Sequence, residues 1–527
     1  MSHSDNKIAT DNYQFINLSF LLLNKIINNL DQILDIISFS LVCKRWFDNR
    51  DKYLCFNNET LMNSRDIKVD KHFTLNSYKE LFQRSFDQNI NRKHLLVLIT
   101  PDDEILDYIR FLKQSKPYTV EIVQTNELND EIIQRKCYAN VNNLSLANFS
   151  RFRNNIKLPS NIKEIISIFE FNESFLPLEL ESLQCSINNT INISLLPRTL
   201  KVLKISGYGT RGIDVRSLPP NLEEFESCVV GLFDKTITGN DTHQMPSTLK
   251  RVSLLSDDLP SIKRLTSIHT LLINVSITGF IRIGDIPESV TDLSLTNYSM
   301  PLNICREMLP SNIKHISIIG KFSFRAQISS DYRYTFSTLQ HLETLDLSRV
   351  SLSNNDKIGP LPTSLINISL PSTPNFKYDE LISSCNQLPN LKFVDYGSFN
   401  NDNDQRLNNT SIKSIKLNRS TKLTDQSIPT SVEIIDFNDY RLKVEQNIWP
   451  PSISSISIDT AFIDANDNLM NIPSSIKNIT ITNEQFTFNI RRLDQQFILL
   501  FGNNLLNINS AILNINCLTN YLKKYNK

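Results

Sequence analysis

Residues 309–318 read LPSNIKHISI, and the same order of residue types returns along much of the chain: LPSNIKEI at 158–165, LPRTLKVLKI at 196–205, MPSTLKRVSL at 245–254, IPESVTDLSL at 286–295, LPTSLINISL at 361–370, IPTSVEIIDF at 428–437 and IPSSIKNITI at 472–481. Each is an apolar residue, a proline, two mostly polar residues, an apolar residue and two mostly polar residues, then apolar, variable and, in all but the unit at 158, apolar. Extending this register through units that lack the proline gives fifteen anchors, at Pro159, Pro177, Pro197, Pro219, Pro246, Leu265, Pro287, Pro310, Leu339, Pro362, Leu388, Asn409, Pro429, Pro450 and Pro473. That is 314 residues over fourteen intervals, about 22 each. The third position past the anchor is Leu, Ile or Val in all fifteen units, the sixth is apolar in all fifteen, and the eighth fails only at Ser167 and Ser227.

An apolar-x-apolar pair puts two side chains on one face of a short strand. Proline at the anchor suits a turn or strand start, because it has no N–H for a sheet ladder. A unit of this size buries almost nothing alone, so units must stack, their strands forming one continuous parallel sheet along a solenoid. The rest of each unit is rich in Asn, Ser and Asp and is expected to return as extended chain or short 3₁₀ turns. Alternation turns the seventh position outward onto the sheet surface. Its charged members, Lys204, Glu226, Asp346, Asp395, Lys416 and Asp436, are the candidate residues for holding a target protein.

This core pattern resembles the leucine-rich repeat, and the IPxSVxxLxL form with its Phe171-Asn172 and Phe437-Asn438 pairs looks like FNIP-type repeats. The segment IRRLDQQFILLFG at 490–502 resembles the end that follows such repeats. Before the regular array, HLLVLIT at 94–100 and YTVEIV at 118–123 read as strands, with a helix from Thr100-Pro101-Asp102-Asp103 to Lys113 between them. The register also fits Pro117 and Tyr138, which places the solenoid's start near residue 90.

The N-terminal segment is different. Between Leu18 and Phe47, 18 of 30 residues are hydrophobic, against 40% in the chain as a whole, and 30 residues cannot close a core of their own. Leu18, Leu22, Leu23, Ile26, Ile27 and Leu30 recur at helical steps, then Asp35-Ile36-Ile37 leads into Leu41-Val42-Cys43-Lys44-Arg45-Trp46. The order resembles the F-box, whose ending L-V-C-K-R-W this chain repeats; Ser19 stands where the family has Pro, and one residue is added between Leu30 and Asp35. The resemblance implies that Leu18, Leu22, Leu23, Ile26, Ile27, Leu30, Leu41, Val42, Cys43 and Trp46 dock on a Skp-type adaptor of a cullin ubiquitin ligase. That partner would be the missing cover of the apolar face. The alternative is that these helices only cap the open end of the solenoid.

Fifty-five basic and 55 acidic residues leave a formal charge of zero, with no footprint for nucleic acid or an anionic membrane. The longest apolar run near the N-terminus, Phe20–Leu23, is too short for a span or a signal peptide. Eight scattered cysteines without metal spacing read as reduced thiols of a cytoplasmic or nuclear protein, not a secreted one. The histidines form no metal-spaced pair, and G-x-S-x-G is absent. Gly207-Tyr208-Gly209-Thr210-Arg211-Gly212 matches G-x-G-x-x-G, but Pro219 follows too soon for the helix that motif needs.

The reading is therefore an α+β chain without catalysis or cofactor: a disordered start at 1–14, an F-box-like helical motif at 15–55, a helical linker at 56–90, a leucine-rich-repeat-like solenoid at 91–483 and a C-terminal capping segment at 484–527. Its expected role is a substrate receptor of a Skp-cullin-F-box type ligase, or else a repeat scaffold with no ligase connection.

Overall fold

A computed structural model describes residues 17–30, 32–54, 56, 68–69, 75–90, 96–99, 118–123, 141–147, 160, 162–167, 176–186, 193–206, 217–229, 245–277, 279–324, 335–352, 358, 360–371, 379–396, 407–417, 423, 428–437, 440, 443–444, 448–465, 472–483, 486–504 and 507–522. The chain divides into two compact units, one of Met1–Lys93 with Glu433–Lys527 and one of His94–Val432.

The unit of His94–Val432 is a parallel β-solenoid. Short strands from Leu96–Ile99 to Ser414–Lys416 pair each with the next in chain order, all parallel, as in Leu271↔Leu293, Leu293↔Ile316 and Ile316↔Leu345. Residues six past successive anchors thus stand opposite one another, and the register counted from the sequence is the register of the sheet. Every residue three past an anchor, from Ile162 to Ile476 across both units, is at most 1% exposed, and every one six past is at most 2%. Ser227, which breaks the apolar rule at the eighth position, is also buried, its Oγ accepting from Val229 N at 3.2 Å.

The polar positions build the turns. The anchor carbonyl accepts from the N–H three residues on, as in Leu200 N to Pro197 O at 3.2 Å, closing a β-turn that needs no donor from the proline. The next two N–H groups share one carbonyl of the preceding unit: Lys201 and Val202 both donate to Glu181 O, at 2.8 and 3.0 Å. Ser, Thr or Asn stands two past the anchor in thirteen of fifteen units, and several of these side chains stitch turn to turn. Thr199 Oγ1 donates to Leu178 O and Leu180 O, Thr248 Oγ1 to Leu222 O and Ser364 Oγ to Leu342 O. Four past the anchor, Lys163, Glu181, Lys201, Glu223 and Lys250 alternate in sign, with Lys201–Glu181 and Lys250–Glu223 contacts at 2.7 Å. Such exposed pairs add little stability but disfavour a slipped register.

Two expectations are corrected. Val120 stands opposite Leu144, so Val120, and not Val123, takes the place six past an anchor, and Pro117 does not hold the anchor position. Tyr138 does fit, since Leu144, six residues on, faces Ile165. The returns include 3₁₀ turns at Ile193–Leu195, Ser256–Ser261 and Arg306–Met308, but also an α-helix at Asp379–Gln387. That unit runs 26 residues from Pro362 to Leu388, long enough for a helix that buries Leu381, Ile382 and Cys385. The helix expected over 100–113, the Phe171-Asn172 pair and the 207–212 glycines lie outside the described residues.

Gly320 is required by geometry. It takes φ of +102°, and a Cβ there would lie 1.9 Å from Asn297 O. Gly320→Ala is expected to lower stability by about 2–3 kcal/mol, read as a shift in the urea midpoint; an unchanged midpoint would contradict this backbone.

The other unit begins with helices α1 (Phe20–Ile27), α2 (Ile33–Ser40), α3 (Lys44–Asp48) and α4 (Asn76–Ile90). Its parallel strands Ile434–Asp436, Ser455–Asp459 and Asn478–Thr482 are followed by an antiparallel meander, Phe486–Arg492, Phe497–Asn504 and Asn507–Asn514. Lys68–Val69 adds a parallel strand beside the last of these.

Candidate functional site

Two surfaces carry the residues singled out above, one on each unit. The first is the helical cluster. Ser19 caps α1, its Oγ accepting from Leu22 N at 3.4 Å, and the helix turns Leu23 and Ile27 inward to 0% and 1% exposure. Trp46 on α3 is 0% exposed and stacks on Phe39 with centroids 4.6 Å apart. Buried polar groups lock the helices together. Tyr53 Oη donates to Trp46 O at 2.9 Å, Asn24 Nδ2 to Tyr53 O at 2.7 Å, and Ser40 Oγ lies 2.6 Å from Tyr78 Oη. Burial raises the Tyr53 and Tyr78 phenols above their ordinary range, so both remain neutral.

The expectation that this apolar face finds no cover in its own chain is overturned. Leu23, Ile27, Ile37, Trp46, Tyr78 and Phe82 share one core with Leu499 and Phe501 of the meander, and Phe82 stacks on Phe501 at 5.3 Å. Asp35 of α2 pairs with Arg491 on the neighbouring strand. The physical reason lies in FILLF at 497–501: Ile498 and Leu500 face one way, Leu499 and Phe501 the other, and all four are at most 4% exposed. A strand apolar on both faces needs a second layer, which the helices supply.

Of the ten residues named for an adaptor, Leu23, Ile27 and Trp46 are sealed inside this core, while Leu18, Ile26, Leu30 and Cys43 are half-buried. Leu22, Leu41 and Val42 reach solvent, at 50%, 36% and 60% exposure. Leu21, at 84%, is the apolar side chain that sequence reading missed, because it falls off the helical stripe. What these helices leave open is four aliphatic side chains, Leu21, Leu22, Leu41 and Val42.

The second surface is the outward face of the sheet. Lys204 contacts Glu224 at 3.1 Å and Glu226 at 3.6 Å, and Arg251 Nε lies 3.5 Å from Glu224. Partial burial works against the Lys204 ammonium, but the two carboxylates outweigh it and raise its pKa. Asp395, 8% exposed, pairs with Lys416 at 3.3 Å. Asp346 accepts from Ser348 N at 3.0 Å and Ser348 Oγ at 2.7 Å. The sheet therefore joins Lys204 to Glu226 and Asp395 to Lys416, while Asp346 belongs to neither pair and Asp436, half-buried, lies on the other unit. Glu224 and Arg251, five past their anchors, join this cluster through the sheet register, which the seventh position alone does not reveal.

Cys185, Cys305 and Cys385 are buried and free, and burial pushes the Cys185 and Cys385 thiols up to about 12, where they are unreactive. Cys228 and Cys517 are exposed, and Cys55 and Cys137 lie outside the described residues. Among the described residues no group of three His, Cys, Asp or Glu side chains is placed to hold a metal ion, and no helix is long and apolar enough to cross a membrane.

No protein-family model matches the chain, and no curated protein does. Among solved structures it is similar to CroV588, described as a novel circular leucine-rich-repeat protein, at 18% identity and a TM-score of 0.46, covering 74% of this chain and 60% of that one. It is also similar to TLR13 in its complex with ssRNA13, at 12% identity and a TM-score of 0.38, covering 76% and 68%. The chain thus spans about 60% of the length of CroV588. These neighbours are leucine-rich-repeat solenoid proteins, and the likeness is one of fold alone.

Proposed function

We propose that this chain is a non-catalytic substrate receptor: the N-terminal helices dock a Skp-type adaptor of a cullin ubiquitin ligase, and the solenoid holds a target protein. The coarser part, an interaction scaffold, follows from a repeat fold whose outward face is a run of polar and charged side chains. The finer part is carried by one observation. Leu21, Leu22, Leu41 and Val42 stay exposed on or beside helices whose inward residues Leu23, Ile27, Ile37 and Trp46 are packed, and Leu41-Val42 opens the F-box-like ending. Aliphatic side chains held this way by a packed frame suit a protein partner.

Pull-down with a Skp-type adaptor provides the test. Leu22→Asp is expected to reduce capture about tenfold or more without changing thermal stability, since the side chain lies outside the core. Equal capture of wild type and variant would remove the ligase reading. It would favour a second one, supported by the shared core with Leu499 and Phe501: helices that serve only to cover the meander of an adaptor-free scaffold.

A further inference from the structure

The strands of three consecutive units, Asp292–Asn303, His315–Ser323 and Thr344–Ser351, run far longer than the three to five residues of most others, and the extension contains a built projection. Pairing of the first two is interrupted between Asn297 and Leu302. There Asn297, 1% exposed, donates through Nδ2 to Met300 O at 2.7 Å and to Lys321 O at 2.8 Å, and its Oδ1 accepts from Ser299 N at 3.1 Å. Gly320 lets the adjacent backbone approach. The buried amide thus braces a bulge that aims Tyr298 and Met300 at solvent, 72% and 74% exposed. Two large, mainly apolar side chains thus stand exposed on a braced backbone, the kind of surface that suits a protein partner.

The register supplies the rest of the surface. Tyr298 has the outward parity of Asp292, Ser294 and Thr296, and the Asn297↔Gly320 pair sets it beside Lys321. Arg349 faces Ile319 on the next strand, and Ile277, 84% exposed, follows the strand on the other side, where Val275 N donates to Thr296 O. Lys321 and Arg349 are exposed, and neither has an ion-pair partner among the described residues. That sets them apart from Lys204 and Lys416, whose carboxylates are at hand. The nearby acid, Asp346, is engaged by Ser348.

We propose that Ile277, Tyr298, Met300, Lys321 and Arg349 form a docking surface for a protein segment that carries carboxylates beside large apolar side chains. This rests on the reading of the solenoid as a protein-binding scaffold and is independent of the adaptor. Two cations without an ion-pair partner among the described residues, beside apolar surface, suit such a segment better than a polyphosphate chain, whose binding needs many cations.

Fluorescence anisotropy of the full chain with a labelled short peptide of Asp, Glu, Leu and Phe tests it, alongside the same peptide with Lys for each acid and a poly-uridine RNA of matching length. The acidic peptide is expected to bind, the other two not. Tyr298→Ala with Met300→Ala should weaken binding about tenfold or more, and Lys321→Glu with Arg349→Glu should move preference to the lysine peptide. Leu22→Asp should change nothing, which separates this surface from the ligase reading. Acidic-peptide binding that survives both double variants would overturn this surface while leaving a scaffold. Preference for the RNA, or no binding of the acidic peptide, would overturn the assignment of the ligand.

Discussion

Ile316→Asp is expected to unfold several turns of the solenoid together. Ile316 is 1% exposed and lies opposite Leu293 on one side and Leu345 on the other, themselves 2% and 0% exposed. A carboxylate there is buried among aliphatic side chains and must take up a proton, which at pH 7 costs about 4 kcal/mol from an ordinary pKa near 4. Loss of the aliphatic side chain adds about 1–3 kcal/mol. Each unit is stabilised by its neighbours, so the loss spreads beyond one turn. The sign of the pH dependence is specific. The folded-state pKa of the new acid is raised, so its penalty vanishes below the unfolded value and grows as pH rises through it. The deficit against wild type should therefore shrink by about 4 kcal/mol between pH 7 and pH 4. Ile316→Leu, of equal volume, should cost less than about 1.5 kcal/mol. Thermal melts of the two variants check both; an Asp variant as stable as wild type at pH 7 would mean that this position is not inside.

Trp46→Ala is expected to release the N-terminal helices. The indole is fully buried, stacked on Phe39, and belongs to the core that joins α1–α4 to Leu499 and Phe501. Removing so large a side chain costs about 3–5 kcal/mol, a large fraction of what holds a small helical cluster in place. Proteolysis within 17–54 should speed up markedly, with new binding of a hydrophobic dye as Leu499 and Phe501 lose their cover. Adaptor capture would fall in this variant through loss of the frame, which is why the exposed Leu22 is the proper probe of docking. Unchanged proteolysis in Trp46→Ala would contradict the in-chain packing.

What could be read from the sequence follows from what the repeats constrain. The third, sixth and eighth positions past each anchor were legible because an inward residue in a stacked coil has one acceptable chemistry, and fifteen copies make the choice visible. The Ser, Thr and Asn at the second position were equally periodic. Their role in stitching turns was not legible, since a polar residue at a turn reads the same whether it faces water or the next carbonyl.

The helix at Asp379–Gln387 was hidden by averaging: one long return carries it, while the mean unit has no room. The cover of the N-terminal helices was missed for a different reason. FILLF lacks the alternation that marks a half-buried strand, and its double-sided apolarity is the signal that a second layer packs on it. Of the candidate sites, the charged seventh positions could be placed on the sheet, but their pairing with fifth-position neighbours needed the register. The braced bulge at 297–302 left no mark in the sequence beyond an Asn and a Gly at the same position of two successive units.

The central claim is that a parallel ladder recurs every 22 residues or so and begins just past each anchor. Hydrogen–deuterium exchange on the intact chain tests it most directly. Slow exchange is predicted for the amides of 250–255, 269–274, 291–297, 314–320 and 343–347, each run sharing carbonyls with the run before it, with fast exchange in the exposed turns at 247–248, 311–312 and 340–341. Protection that ignores this period, or that covers the anchor turns as strongly as the strands, would contradict the account.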